Sequence, residues 1–343
     1  MENQLNISKP INDFLAKIKK DKVKKINICL HDNPDPDAIG AGLGTRMIFE
    51  SFGYETKIYY SGDVSHPQNK TMINVLNIIM EKTTSKIEGV NVCVDGTPAN
   101  SCVDSAALVI DHHKNPVDSE FQIVYPSYGA CCTIVWEIIQ ELKLSENKEG
   151  TDVYTSLLLG IRTDTNDLIS ENMSDNDFKA YQELLPLSDK ESLQKIMNYP
   201  LPKYLYDKRL ALHIEGNNYE RNGMFVGGVG YILDNQRDVI AILSEEYSRM
   251  ESVSTSIIFA IVGGKSLHVS IRSSNVSLDV GQMCRELFQG GGTTYKGGAK
   301  IPLGFYEELD KNEKEEFWNI TCKTMFRKVF KENFLEQEEK KGE

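Results

Sequence analysis

Positive charge is the scarcer sign in this chain. Against 50 aspartates and glutamates, its 343 residues include 38 lysines and arginines, a formal net charge of -12 at pH 7. Proteins that coat long nucleic acid need a wide basic surface. The acidic total argues against that class. It leaves room for a short anionic substrate held by metals and a few local cations, and part of the acid is expected to belong to a metal site. Long apolar runs are also missing. No stretch approaches ~18 uninterrupted apolar residues, so no membrane span is expected. Met1 to Lys22 mixes charges and lacks the apolar core of a signal peptide. Zinc-type spacing is absent: the cysteines at 29, 93, 102, 131, 132, 284 and 322 include no Cys-x-x-Cys pair. Cys29 and Cys93 sit inside apolar runs, where a thiol acts as a small hydrophobe. An odd count without metal spacing fits a reducing cytoplasm. No internal repeat is found.

The rest of the composition is that of a globular chain, 40% hydrophobic and 26% charged. Its length exceeds one ordinary core, so two domains are expected. Apolar runs at Lys25 to Leu30, Thr56 to Tyr60, Val90 to Val94 and Ala106 to Ile110 read as strands. Ala38 to Phe52, Thr71 to Met80, Cys131 to Leu142 and Asp152 to Ile161 read as helices. Such alternation predicts an α/β fold, a mainly parallel sheet flanked by helices. A polar, helical stretch follows, punctuated by Pro200 and Pro202. Beyond it, a second, smaller α/β domain is expected across a cleft, with strands at Met224 to Tyr231, Ser254 to Val262 and Leu267 to Ile271, helices at Asp238 to Met250 and Asp279 to Phe288, and a glycine-rich turn. The last helix is expected from Glu307 to Phe334. The expected boundaries are a catalytic domain over 1–195, a helical linker over 196–215, the second domain over 216–335 and a disordered tail over 336–343.

Three of the first strands end on acid or imidazole. The first leads into His31-Asp32-Asn33-Pro34-Asp35-Pro36-Asp37-Ala38. Each proline holds the residue before it extended, so the loop is stiff and Asp35 and Asp37 can be aimed at different ions. Ala38, Gly40 and Ala41 are small enough for the following helix to approach the sheet. Val94 leads into Asp95-Gly96, and Ile110 into Asp111-His112-His113. Open parallel sheets bind ligands beyond the carboxyl ends of their strands, which is where all three fall. A fourth acid follows a buried helix: Asp164 is the choice, with Asp152 and Asp167 as competitors. Oxygen and imidazole donors in this number suit divalent cations and phosphoester hydrolysis.

In order and spacing, His31/Asp35/Asp37, Asp95, Asp111-His112-His113 and Asp164 resemble the four motifs of the DHH phosphoesterase family. The second domain resembles the substrate domain of the subfamily of nanoRNases, which degrade short oligoribonucleotides and dephosphorylate 3′-phosphoadenosine 5′-phosphate. Ser270-Ile271-Arg272-Ser273 and Gly290-Gly291-Gly292 look like its arginine strand and glycine loop. The family's usual pattern follows the glycine run with histidine; here Thr293-Thr294-Tyr295 follows. The resemblance implies two divalent cations, Mn²⁺ ahead of Mg²⁺ or Co²⁺. One would be held by His31, Asp35 and Asp95 and the other by Asp37, Asp95, His112 and Asp164, with Asp95 as the bridge. His113 would sit near the phosphate as donor or proton carrier, and Asp111 would orient a neighbouring histidine. Arg272, Ser273, Gly290, Gly291, Gly292, Thr293, Thr294 and Lys296 would grip the substrate, with Tyr295 a candidate for stacking a base. A homodimer is implied by the resemblance alone.

The expected activity is metal-dependent degradation of short single-stranded oligonucleotides to mononucleotides, with 3′-phosphoadenosine 5′-phosphate as a second substrate. The alternatives are a phosphodiesterase for cyclic or linear dinucleotides, a single-strand DNA exonuclease, an inorganic polyphosphatase and a non-catalytic nucleotide sensor. A short chain without basic stretches weakens the DNA reading, and a complete ligand set speaks against the sensor.

Overall fold

A computed structural model describes residues 7–114, 118–144 and 150–330. The chain divides into two compact units, Met1–Pro200 and Leu201–Glu343. The tail expected over 336–343, and the end of the last expected helix, lie outside the described residues. Among the described residues no helix is long and apolar enough to cross a membrane.

The first unit runs α1 (Lys9–Lys20), β1 (Lys25–Leu30), α2 (Pro36–Ser51), β2 (Glu55–Tyr60), α3 (Pro67–Val75), β3 (Glu81–Lys82), β4 (Asn91–Val94), β5 (Leu108–Asp111), β6 (Phe121–Val124), α4 (Cys131–Glu141), α5 (Thr151–Asp164), α6 (Asp175–Leu184) and α7 (Lys190–Met197). Its strands form one parallel sheet in the order β3-β2-β1-β4-β5-β6. Parallel strands are covered on both faces and so are apolar on both. In β1, Ile26, Ile28 and Leu30 enter the main core with Phe14, Phe49 and Trp136. The alternate residue Cys29 packs on the other face with Cys93, Cys102 and Val109. The chain leaves β1 for β2 on one side, and β4 pairs on the other. That reversal makes a switch point, the place where open sheets leave a crevice at their carboxyl edge.

The first helix after β1 differs from expectation in what its small residues face. A Cβ at Gly42 would lie 2.7 Å from Leu30 of the sheet. One at Gly40 would lie 2.6 Å from the Ser156 carbonyl of α5, and one at Gly44 2.6 Å from Val135 of α4. The small side of α2 therefore serves the neighbouring helices as much as the sheet. The helix expected over 71–80 begins earlier, because Pro67 occupies its first turn and the His66 ring accepts the Gln68 amide at 3.2 Å. Strand β6 was not anticipated. It is a four-residue edge strand in which Phe121, Ile123 and Val124 are apolar but only Ile123 is buried.

The second unit runs α8 (Lys203–Ala211), β7 (Asn218–Arg221), β8 (Met224–Ile232), α9 (Val239–Tyr247), β9 (Thr255–Val262), β10 (Ser266–Ser273), α10 (Val280–Phe288), β11 (Gly291–Gly292), β12 (Lys296–Pro302) and α11 (Lys311–Phe330). Its sheet is mixed, in the order β11-β12-β10-β9-β8-β7, with β8 and β9 parallel and the other pairs antiparallel. Leu205 and Leu212 of the α8 region pack with Phe225, Val229 and Leu243. The glycine run expected as a turn is instead a hairpin, β11 paired to β12 through Gly291 and Gly298. Backbone approach, not side-chain pattern, defines that strand, which is why its sequence reads as a loop.

Candidate metal centre

The site is built from strand ends and helix starts. Asp35 caps α2: it is extended, as a following proline favours, and its Oδ1 accepts the amides of Asp37 (3.0 Å) and Ala38 (3.1 Å). Asn33, before Pro34, departs from the expected extended geometry with a left-handed φ of +58, its Oδ1 accepting the Asp63 amide at 2.9 Å. Asp37 lies in the first turn of the same helix and is buried. Its Oδ2 accepts the Cys131 amide at 2.6 Å and its Oδ1 the Cys132 amide at 2.9 Å. Those amides open α4, so the carboxylate sits at the positive ends of two helices. Gly160 of α5 makes room for it: a Cβ there would come within 3.0 Å of the Asp37 Cα.

Asp95 follows β4 in the left-handed region, φ +56, a conformation that costs a non-glycine residue about 1 kcal/mol or more and clusters at functional sites. Asp111 ends β5 fully buried. Its Oδ1 accepts the amides of His112 (2.8 Å) and His113 (3.2 Å) and faces the His113 Nδ1 at 2.7 Å. The His31 Nδ1 lies 2.8 Å from the Asp32 carbonyl, and the His112 Nδ1 3.1 Å from the Tyr128 carbonyl. A carbonyl at Nδ1 assigns the proton to that nitrogen in the neutral ring and leaves the Nε2 lone pair facing the carboxylates.

Three groups of donor atoms result: His31 with Asp35 and Asp95, Asp37 with His112 and Asp164, and Asp95 with His112 and His113. The His31 Nε2 is 3.9 Å from Asp35 and 3.6 Å from the Asp95 Oδ2. The His112 Nε2 is 3.8 Å from Asp37, 3.4 Å from the Asp95 Oδ1 and 3.4 Å from Asp164. The two oxygens of Asp95 thus face different imidazoles. The Asp95 Oδ1 is buried and has no hydrogen-bond partner among the described residues. A buried carboxylate oxygen left without a donor is costly, and here it is aimed into a pocket of oxygen and imidazole donors. The residues therefore fit hard or borderline divalent cations. The adjacent Cys131 and Cys132 thiols are pushed up by burial and stay neutral, so the donor set has no thiolate.

Electrostatics tell the same story. Burial, then the charges of Asp95 and Asp164, drive the Asp37 carboxyl well above its usual range. Burial alone would lower the pKa of His31, but the nearby carboxylates of Asp35 and Asp95 outweigh it, to about 9. Burial opposes protonation of His112 as well, and Asp95, Asp37 and Asp164 prevail, to about 10. His113 is half-exposed, and its pKa is raised first by the Asp111 hydrogen bond. Burial pushes Asp111 up, yet that same bond wins and keeps it below the usual carboxylate value.

Of the competitors for the fourth acid, Asp152 lies in the first turn of α5, at the far end of the helix from Asp164. Asp167 pairs with Arg162 at 2.5 Å. The groups that sequence reasoning missed are backbone ones: the Cys131 and Cys132 amides and the Tyr128 carbonyl. A main-chain group carries no residue-type signal.

The second unit holds the other expected residues. Arg272 is half-buried on β10. Its Nη1 donates to the Ile271 carbonyl (2.9 Å) and the Ser270 hydroxyl (3.3 Å), and its Nε is 3.3 Å from Glu245 of α9. Lys296 stands directly across on β12. The Ser273 hydroxyl bonds Thr255 at 2.8 Å and donates to the Ser254 carbonyl at 3.1 Å. Gly290 and Gly292 are required by the hairpin: a Cβ would strike the Gly298 carbonyl at the first and the Lys296 carbonyl at the second. The Thr293 amide donates to the Lys296 carbonyl at 2.8 Å. The Thr293 and Thr294 carbonyls accept the Gly281 (2.8 Å) and Val280 (3.0 Å) amides of α10.

Residues 25–161 match the DHH family, N-terminal domain. The chain is 28% identical over 334 residues, 95% of its length, to an uncharacterized protein of Methanocaldococcus jannaschii, of which it covers 68%. It is 26% identical over 190 residues to a probable manganese-dependent inorganic pyrophosphatase of Lactobacillus helveticus, covering 51% of this chain and 55% of that one. It is also 26% identical over 187 residues to a bifunctional oligoribonuclease and PAP phosphatase of Thermus thermophilus, covering 50% of this chain and 53% of that one. The chain thus spans about half the length of these two enzymes. An exopolyphosphatase-related protein from Bacteroides fragilis shares the fold, with 17% identity and a TM-score of 0.63 over 94% of this chain and 97% of that one.

Proposed function

Residues 25–161 are an N-terminal domain of the DHH family, and from that premise we propose a two-metal phosphohydrolase that degrades short oligonucleotides to mononucleotides. The observation that carries this reading is Asp95, whose two oxygens face His31 on one side and His112 on the other. One ion, Mn²⁺ by preference, would be held by His31, Asp35 and Asp95, and the other by Asp37, Asp95, His112 and Asp164. Such a pair acidifies water and neutralises phosphoryl charge. The protein's own part is to aim these donors. Asp111, ionised and buried, holds the His113 Nδ1–H, so that the opposite ring nitrogen is presented at the half-exposed face of the cluster, where it donates to a phosphate or carries a proton.

Recognition of the nucleotide belongs to the second unit. Arg272 and Lys296 are cross-strand neighbours of like charge, an arrangement that Glu245 relieves from the guanidinium Nε. Glu245 pins one edge of the guanidinium. Phosphate is the anion this pair suits, and 3′-phosphoadenosine 5′-phosphate is a second substrate of the right chemistry. The named activity of the Thermus thermophilus relative supports this choice. A second reading, hydrolysis of inorganic pyrophosphate, is favoured by the Lactobacillus relatives.

The test is a substrate panel with Mn²⁺: labelled two- to five-nucleotide RNA and DNA, cyclic dinucleotides, 3′-phosphoadenosine 5′-phosphate, pyrophosphate and polyphosphate. Mononucleotide release from RNA, abolished by Asp95→Ala, is expected. Turnover of pyrophosphate in preference to every nucleotide would replace the first reading with the second, and Mn²⁺ binding without any turnover would replace both with a sensor.

A further inference from the structure

Residues 17–25 read Lys-Ile-Lys-Lys-Asp-Lys-Val-Lys-Lys, six lysines in nine positions of a chain with net charge -12. This corrects the expectation that the chain has no basic stretch. Lys17 is paired, 3.2 Å from Asp21 and 4.0 Å from Glu120. Lys19, Lys20, Lys22, Lys24 and Lys25 have no ion pair among the described residues. Basic residues in a last turn ordinarily complement the negative end of the helix, which accounts for the lysines within α1. It does not account for Lys22, Lys24 and Lys25 beyond that end. The left-handed φ of +56 at Lys22 belongs to the end of α1, where the Val23 amide donates to the Ile18 carbonyl at 3.0 Å.

These lysines border a concavity. Lys19, Lys22 and Lys24, together with Asn12, Phe52 and Tyr54, line a hollow of about 590 Å³, within the range of small-ligand sites. Phe52 follows the last residue of α2 and is 46% exposed, so its ring is open to a ligand. Tyr54 leans on the main core. The hollow lies at the amino edge of the parallel sheet, where β1 and β2 begin, whereas the metal donors follow the carboxyl edge. Six residues of β1 at roughly 3.3 Å each separate the two by about 20 Å.

We propose that this hollow is a second, non-catalytic site for single-stranded oligonucleotide, with a base stacked on Phe52 and the flanking phosphates on Lys19, Lys22 and Lys24. Stacking on an exposed ring beside lysines that follow the backbone is the general chemistry of single-strand binding. A lipid surface fits less well. Membrane-surface helices turn an apolar face outward, and the apolar face of α1, Ile11, Phe14, Leu15 and Ile18, is buried in the core. The proposal goes beyond the catalytic reading and uses none of its residues.

The test measures binding by the full chain in EDTA, so that no substrate is cut. The probe is a fluorescein-labelled ten-nucleotide polyadenylate followed by anisotropy. The triple variant Lys19→Glu/Lys22→Glu/Lys24→Glu is expected to weaken binding at least tenfold. It should also flatten the dependence of log affinity on log salt by about 2, the value for three single-strand phosphate contacts. Phe52→Ala should weaken binding about tenfold with little change in that slope. A Lys→Gln triple should lose affinity likewise, and each variant should keep the wild-type Tm and the wild-type rise in Tm on adding Mn²⁺. That last readout holds whatever the hydrolytic substrate proves to be. Wild-type affinity in a folded triple variant would overturn the proposal. So would indifference to Phe52→Ala, which marks a plain polyanion patch, or tighter lysine-dependent binding to phosphatidylserine vesicles than to RNA, which marks a membrane site.

Discussion

At the scale of single residues, the proposed metal site is a problem of packed charge. Asp37, Asp95, Asp111 and Asp164 converge with His31, His112 and His113. In the metal-free chain the imidazoles hold their protons far above the ordinary 6.5, to about 9 for His31 and about 10 for His112. A raised folded-state pKa means stabilisation that is full below pH 6.5 and is lost as the pH climbs through 9 and 10. Asp37 acts in the same sense, because its ionisation inside the cluster weighs on the fold once the pH exceeds the ordinary carboxylate range. The Tm of the EDTA-treated protein is therefore expected to fall between pH 6.5 and pH 10. Divalent cations compete with those protons, so the rise in Tm on adding Mn²⁺ should grow over the same interval. Thermal melts followed by circular dichroism decide it. A metal-free Tm indifferent to pH across that window would show that the imidazoles are neutral and the donor set is arranged otherwise.

Elements place these residues through close crossings. Helix α2 carries Asp37 between α4, whose first amides bind it, and α5, whose Gly160 leaves room for it. At Gly160 a methyl group would collide with the Cys132 sulfur as well as the Asp37 backbone. Overpacking of this kind costs about 1–3 kcal/mol. Gly160→Ala should lower the Tm by several degrees and weaken Mn²⁺ binding as well, since the displaced group is a donor. Gly304→Ala is the matched control: nothing lies within 4 Å of a Cβ there and its backbone is not left-handed, so both readouts should stay at wild type. Equal effects from the two changes would mean that helix crossing does not set the position of Asp37. Local pattern made the elements legible. β1 begins and ends where its apolar run does, and α4 starts at Cys131 as its spacing predicts. Edge strands β3 and β6 and the glycine hairpin were not legible, because pairing rather than side-chain burial creates them.

On the scale of the whole molecule, each unit has its own core. The first packs Phe14, Phe49 and Trp136 under its sheet, and the second packs Phe259 with Trp318 and Phe326. All six proposed metal ligands lie in Met1–Pro200. Residues 1–200 expressed alone should therefore melt cooperatively and keep the Mn²⁺-induced rise in Tm. A molten or metal-indifferent fragment would show that the first core depends on the second unit. The expected linker over 196–215 would break this partition if it were independent, yet Leu205 and Leu212 pack with Phe225 and Val229.

The amino-acid sequence alone determined which side chains can act as ligands, that they follow buried strands, and that the strands alternate with helices. These are local properties, written as residue type and period. Tertiary structure decided the rest. Strand order sets Asp95 beside His31 at the reversal between β1 and β4, and helix crossing brings the amides of Cys131 and Cys132, 94 and 95 positions along the chain, onto Asp37. The lysines of 17–25 were present in the sequence, but only the fold of α2 against the start of the sheet set Phe52 among them. Convergence of distant groups depends on packing between surfaces, and no local period encodes it.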